Sequence, residues 1–368
     1  MRRTSSLSAA KTFPLIVALL PVSSTPAQVA PTDADLQKSV ERKVAVSENN
    51  TIFTLFCLLN VGGYNEENNS GGMHPVRVKV RERLSHTVPP ALAQRIRDFY
   101  REHPHSSPYD YAVVAMSTGG APDFKFNVGW PEVSKEASFA ALSDLPALLR
   151  ELYANASIEE IYSAVHPDYL AYIEQYRAAV LAEVAKVMKY CRVTELSSVE
   201  GGEVSYAVVI PNLLESFSNA FSFVLDDALY SVEGPQPKIG YNPHEFVHSI
   251  TNPISYDPRY RTLQQPAQPL YDLAKSRPEV ADLKNLQNFF DENLVRAISL
   301  RYLNTGDPAR AQRLQDAVIK EYRRGYTLEP FFYEQLADYE KTTETLNQFY
   351  PTMLKRLNVE HELARWKQ

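Results

Sequence analysis

An α+β fold, mostly α-helical with one small sheet, is what this 368-residue chain predicts, on three observations. Apolar residues recur at helical spacing over most of its length, as in Leu92, Ile96 and Phe99, or Leu145, Leu148, Leu149 and Leu152. One stretch only, Ser205 to Glu233, turns β-branched and alternating. Soon after it comes His244-Glu245-Phe246-Val247-His248, an HExxH stretch with helical signals on both sides. Apolar content of 44% and charged content of 22% are ordinary for a soluble globular protein, and the length allows one large domain or two medium ones. The net charge of −6 gives no electrostatic footprint for nucleic acid or an anionic membrane.

Residues 1–27 read as a secretory signal: Arg2, Arg3 and Lys11 are basic, Pro14 to Val22 is a short apolar core, and Thr25-Pro26-Ala27 offers a small-residue cleavage site. That apolar run is too short to span a membrane, and no later one approaches the required length. The expected product is an exported, soluble protein. Cys57 and Cys191 either pair or lie buried as free thiols, because nothing in their spacing suggests a metal site. Asn49, Asn68 and Asn155 stand in N-x-S/T sequons.

Residues 28–200 are expected to form a helical N-terminal region. A polar lead-in (31–50) precedes the apolar run Thr51 to Val61, then a loose Gly/Asn/Glu segment. Pro89 and Pro90 open a helix ending near His103-Pro104, and 123–135 reads as loop or short strand. Ser157 and Glu160 suggest a capping box, and Pro167 the start of a longer helix carrying Ile173, Val180, Val184 and Met188. Gly201-Gly202 marks a boundary, and 201–368 forms the motif-bearing region. Its strands are Ser205 to Ile210 and one or two more within Ala220 to Glu233, with Asp226-Asp227 as a turn between them. Asn252 to Pro269 reads as a proline-rich loop, Asp282 to Leu303 as a helix closed by Gly306, and Pro308, Pro330 and Pro351 as openings of three more.

Around the motif, Asn242 is a suitable N-cap and Pro243 a favoured first residue, while Asn252-Pro253 predicts a stop, giving a helix over 243–251. Histidines four apart share one helical stripe, so His244 and His248 can reach one metal ion. Glu245, beside the first, can reach a water on that metal without being a ligand. The alternative is a plain capping box, Asn242 with Glu245, and two satisfied cleft histidines. A catalytic zinc needs a third protein ligand. Ile254 stands where the extended metzincin pattern requires histidine, and His361 is the only later histidine. A carboxylate is therefore expected: Glu292, with Asp291, Asp282, Glu279 and Asp257 as rivals.

A ligand glutamate on a separate downstream helix resembles the gluzincin zinc metallopeptidases. More narrowly, the chain is similar to a family of exported bacterial proteins with HEFxH-type motifs. The residues that carry this are His103-Pro104 after an amphipathic helix, Tyr230-Ser231-Val232-Glu233-Gly234, and Asn242 to Pro253. The resemblance implies a zincin-like core in 201–368, zinc on His244, His248 and Glu292, Glu245 as general base, and a peptide or protein substrate. Where gluzincins often carry an aspartate as partner to a ligand histidine, this chain has Arg296. Arg296 either pairs with Glu292, holds a substrate carboxylate, or makes an ordinary surface ion pair. Tyr326, Tyr302 and Arg296 are candidates for stabilising an oxyanion. The substrate-pairing strand expected in zincins falls to Ser205–Ile210 or Ala228–Val232, both of which also read as plain sheet strands. The competing classes are a non-catalytic exported binding protein with a structural metal or none, and a zinc enzyme that cleaves a non-peptide amide.

Overall fold

Alternating side chains on a small sheet decide where the helices pack. The structure, a computed structural model, describes residues 33–64, 72–193, 204–281, 283–304 and 306–366. Strands β1 (Val44–Val46), β2 (Tyr206–Pro211), β3 (Ala220–Leu225) and β4 (Ala228–Glu233) form one sheet in the order β1-β2-β4-β3. β1 and β4 both run parallel to β2, whereas β3 folds back antiparallel on β4 through Asp226-Asp227, with Asp226 at φ +55°.

Side chains alternate across a strand, so each strand feeds both faces. Val44, Val46, Ala207, Val209 and Leu229 enter one apolar cluster, and Ile210, Phe223 and Val232 enter another. The second cluster is closed by N-terminal helices, among them Asn50–Gly62, Pro90–Glu102 and Leu145–Asn155. The first is closed by C-terminal ones, among them His244–Ser255, Leu286–Arg301, Glu329–Tyr339 and Leu346–Arg356. The long helix Ile158–Cys191 contributes Ile161, Val165 and Tyr169 to one cluster, and Ile173, Val180 and Met188 to the other. Pro31 to Gln368 form one compact unit, mostly helical with this one small sheet. The fold class is the expected one.

Several local readings are corrected. The lead-in holds a helix, Asp33–Lys43, and β1, whose three residues are too few to show a period. Pro75–Thr87 is helical, capped by the imidazole of His74, in a stretch that read as loose. Within 123–135 a short helix, Trp130–Val133, forms, and Thr118 bridges to Phe126. Ser157 sits at φ +51° and caps nothing, so that capping box is absent. Pro167, Pro253 and Pro351 all lie inside helices rather than at their boundaries. An interior proline forfeits one helical hydrogen bond, about 3 kcal/mol. Here the loss is offset by buried residues on both sides of each proline: Val165 and Tyr169, Ile250 and Ile254, Tyr350 and Met353. The stretch from Asn252 to Pro269 is accordingly no loop but the end of the motif helix followed by short helical turns.

Cys57 and Cys191 are free and fully buried in different clusters, which settles the choice against a disulfide between them. Burial pushes the Cys191 thiol up to about 12, and that of Cys57 higher still. The signal reading (1–27), Asn68, Gly201-Gly202 and Asp282 lie outside the described residues. Among the described residues no helix is long and apolar enough to cross a membrane.

Candidate metal centre

The motif helix starts at His244, one residue later than expected. Pro243 takes the cap position without a side-chain hydrogen bond, and Asn242 Oδ1 accepts from the His244 N–H at 3.3 Å. Phe246, Val247, Ile250 and Ile254 are buried in the C-terminal cluster. This turns the other stripe, His244 and His248, toward the Leu286–Arg301 helix packed alongside. That helix is set by Asn285, whose side chain caps Asn288 N–H at 2.8 Å, and by buried Phe289, Phe290, Leu294 and Ile298. Glu292 lies between those buried positions and faces the histidines.

The convergence is close. His244 Nε2 lies 3.5 Å from Glu292 Oε1, and His248 Nε2 lies 3.4 Å from Glu292 Oε2. The imidazole rings are nearly perpendicular, with centroids 5.0 Å apart. One ligand atom from each of His244, His248 and Glu292 falls within 4.8 Å of the others, the one such metal-capable group among the described residues. Two imidazole nitrogens and a carboxylate oxygen are a donor set suited to zinc.

Asp291 is not a fourth ligand. Its Oδ2 lies 2.6 Å from His248 Nδ1, on the ring edge away from the site, and its side chain is 1% exposed. A carboxylate in that position fixes the tautomer and aims Nε2 inward, as is common behind metal-bound histidines. The carboxylate behind His248 thus belongs to the residue before Glu292, and the position four after Glu292 holds Arg296. Of the other rivals, Asp257 is held by Arg259 at 2.8 Å and Glu279 faces Arg324 at 3.6 Å, so neither joins the group.

Glu245 does not close its helix. Its Oε2 accepts a hydrogen bond from Ser222 Oγ of β3 at 2.9 Å. This removes the capping-box alternative and leaves the Glu245 carboxylate tied to the sheet edge. β3 is also the edge strand next to the motif helix, whereas β2 and β4, which contain the two stretches expected to pair with substrate, are interior strands.

Charge follows the geometry. Burial lowers the His244 pKa, with Glu292 and Glu245 opposing. Burial also works against a charged His248, but Asp291 and Glu292 outweigh it and carry the pKa well above the ordinary imidazole value. Burial likewise opposes ionised Glu292, yet His244, His248 and Arg296 hold it well below the usual carboxylate range. A divalent cation would take over the place of the His248 proton.

No known protein family matches the chain, and no curated protein and no solved structure matches it. The residues themselves therefore carry the functional argument.

Arg296 makes no ordinary surface pair. Its guanidinium reaches Glu292 at 2.7 Å and Glu321 at 2.9 Å, donates to Tyr326 Oη at 3.0 Å, and stacks 3.7 Å from the centre of the Tyr326 ring. Tyr326 in turn donates to the Glu279 carbonyl at 3.1 Å, so its hydroxyl is engaged on both sides. Tyr302 donates to Glu183 at 3.0 Å. Arg296 and Tyr302 share with His244 and Tyr241 a cleft of about 730 Å³; Tyr326 stands behind it. Sequence reasoning missed Ser222 and Tyr241 and named Asp291 only as a rival ligand. For Tyr241 the available signal was its place three residues before the motif; Ser222 is brought in by sheet pairing and had no local signal.

Two further buried carboxyls surround the site. Glu233, at the end of β4, is 2% exposed; burial first, then Glu245, push its pKa up to about 8 against the Ser231 hydrogen bond. Glu329 is fully buried, its oxygens meet no hydrogen-bond donor among the described residues, and burial pushes it up to about 9. Both start from 4.5, so the folded chain holds protons that the unfolded chain releases. Stability therefore declines from about pH 4.5 up to 8 for Glu233 and 9 for Glu329, and levels off above. The double variant Glu233→Gln/Glu329→Gln mimics the protonated pair. Relative to wild type it should gain on the order of a few kcal/mol between pH 4 and pH 9 in denaturant melts. A difference that does not change with pH would contradict this.

Proposed function

We propose that the protein is a zinc-dependent hydrolase of gluzincin type that cleaves peptide bonds. The observation that carries the reading is the convergence of His244, His248 and Glu292 on one point, with Asp291 behind His248 and Glu245 drawn off its own helix end. Zinc, when bound, supplies Lewis acidity that lowers the pKa of a water and polarises a carbonyl. Glu245 takes the proton of the attacking water and delivers it to the leaving amine. Arg296, on the cleft wall shared with His244, is the donor we assign to charge developing on the carbonyl oxygen, because the Tyr302 hydroxyl is committed to Glu183.

The outer edge of β3, unpaired among the described residues, offers backbone N–H and C=O groups to an extended peptide, next to the residue that holds Glu245. This favours a peptide over an isolated small amide. The deciding measurement is zinc content by elemental analysis after dialysis of the purified protein against metal-free buffer, followed by a peptide library. About one zinc per chain with cleavage of the library supports the reading. A folded protein that neither retains nor takes up zinc points instead to a binding protein, and zinc without peptide cleavage points to another amide.

A further inference from the structure

The sheet face under the motif helix is polar where it should be apolar. On β1 and β2, and at Leu229 of β4, the residues on this face enter the C-terminal cluster: Val44, Val46, Ala207, Val209 and Leu229. Continuing along β4 and onto β3, the same face carries Ser231, Glu233 and Ser222. Ser231 and Glu233 are each 2% exposed. Buried polar groups are unfavourable unless hydrogen-bonded, and these are bonded in a defined pattern. Ser231 Oγ donates to Glu233 Oε1 at 2.6 Å, and Ser222 Oγ donates to Glu245 Oε2 at 2.9 Å. Ser222 and Ser231 stand directly opposite each other on β3 and β4. Their Cβ atoms are therefore roughly 4.5–5.5 Å apart.

Each serine hydroxyl carries one proton. Ser231 commits its own to Glu233, leaving Ser222 as the hydroxyl that meets Glu245. We propose that Ser222 is a positioning residue: it holds Oε2 of Glu245 against the sheet edge so that Oε1 is presented to the metal group, with the Ser231–Glu233 pair fixing the cross-strand side. This rests on the hydrolase reading for its catalytic consequence, but not for its geometry. Without Ser222, Glu245 is three residues after Asn242 at a helix start whose first N–H groups lack a side-chain cap, apart from the Asn242 contact to His244. A carboxylate in the first turn is drawn to those N–H groups by their partial positive charge. Ser222 thus decides between the two conformations that the local sequence allows.

The test is Ser222→Ala beside Ser222→Thr, which keeps the hydroxyl and suits a strand. In a crystal structure of the Ser222→Ala protein the Glu245 carboxylate should leave the sheet edge and turn toward the N–H groups of the first turn of its own helix; a carboxylate that stays in place overturns the proposal. In the zinc-loaded enzyme kcat should fall about 10- to 100-fold. KM and zinc content should stay unchanged, and Ser222→Thr should recover most of the rate. An unchanged kcat, or a fall that threonine does not reverse, overturns it as well. Wild type that binds zinc and cleaves nothing would defeat the hydrolase reading alone, and the crystal structure would still decide the role of Ser222.

Discussion

Glu245→Gln is expected to keep about one zinc per chain and lose peptide hydrolysis by about 10²- to 10⁴-fold, the usual contribution of a general base. The substitution is close to isosteric, and the amide oxygen can still accept from Ser222, as the carboxylate does at 2.9 Å. It removes only the ability to accept a proton from water. Metal content should be indifferent, because the three converging donors are His244, His248 and Glu292 and do not include Glu245. The melting temperature should move little, since Glu245 makes no helix cap. The loss should fall on kcat rather than KM, because the base acts in the transition state. Equal activity in this variant, with zinc bound, would end the mechanism.

How much of this was legible beforehand depends on how local each signal is. The motif helix, the Glu292 helix and the β3–β4 hairpin all announce themselves within a window of about one turn or one strand. Proline as a helix boundary was read correctly at Pro90, Pro308 and Pro330, where sterics act on neighbouring residues only. It failed at Pro167, Pro253 and Pro351 because burial of distant partners, invisible in one dimension, outweighs the lost hydrogen bond. The same limit governs the site. His244, His248 and Glu292 could be proposed from spacing and residue chemistry. Which of the adjacent carboxylates, Asp291 or Glu292, faces the histidines through Nδ1 or Nε2 depends on the rotation of one helix against another. Ser222 depends on strand register and helix packing together, and no pattern along the chain encodes it.

Those adjacent carboxylates separate cleanly in a paired experiment on metal affinity. Glu292→Ala removes one of three donors. The drop in zinc affinity should then exceed the roughly 10- to 100-fold seen when only a supporting partner is lost, leaving the dialysed protein with well under one zinc per chain. Its fold should survive, because Arg296 loses its contact with Glu292 at 2.7 Å but keeps Glu321 at 2.9 Å and the Tyr326 ring. Asp291→Asn should behave differently. The amide oxygen can still accept from His248 Nδ1, now at 2.6 Å from the carboxylate, so the ring keeps its orientation and Nε2 its aim. What is lost is the negative charge that makes the imidazole a better donor, and affinity should fall only about 10- to 100-fold, with near-stoichiometric zinc retained at saturating metal. If Asp291→Asn lost zinc as completely as Glu292→Ala, Asp291 would have to be a ligand, and the geometry in which it stands behind His248 would be the wrong description of the loaded site.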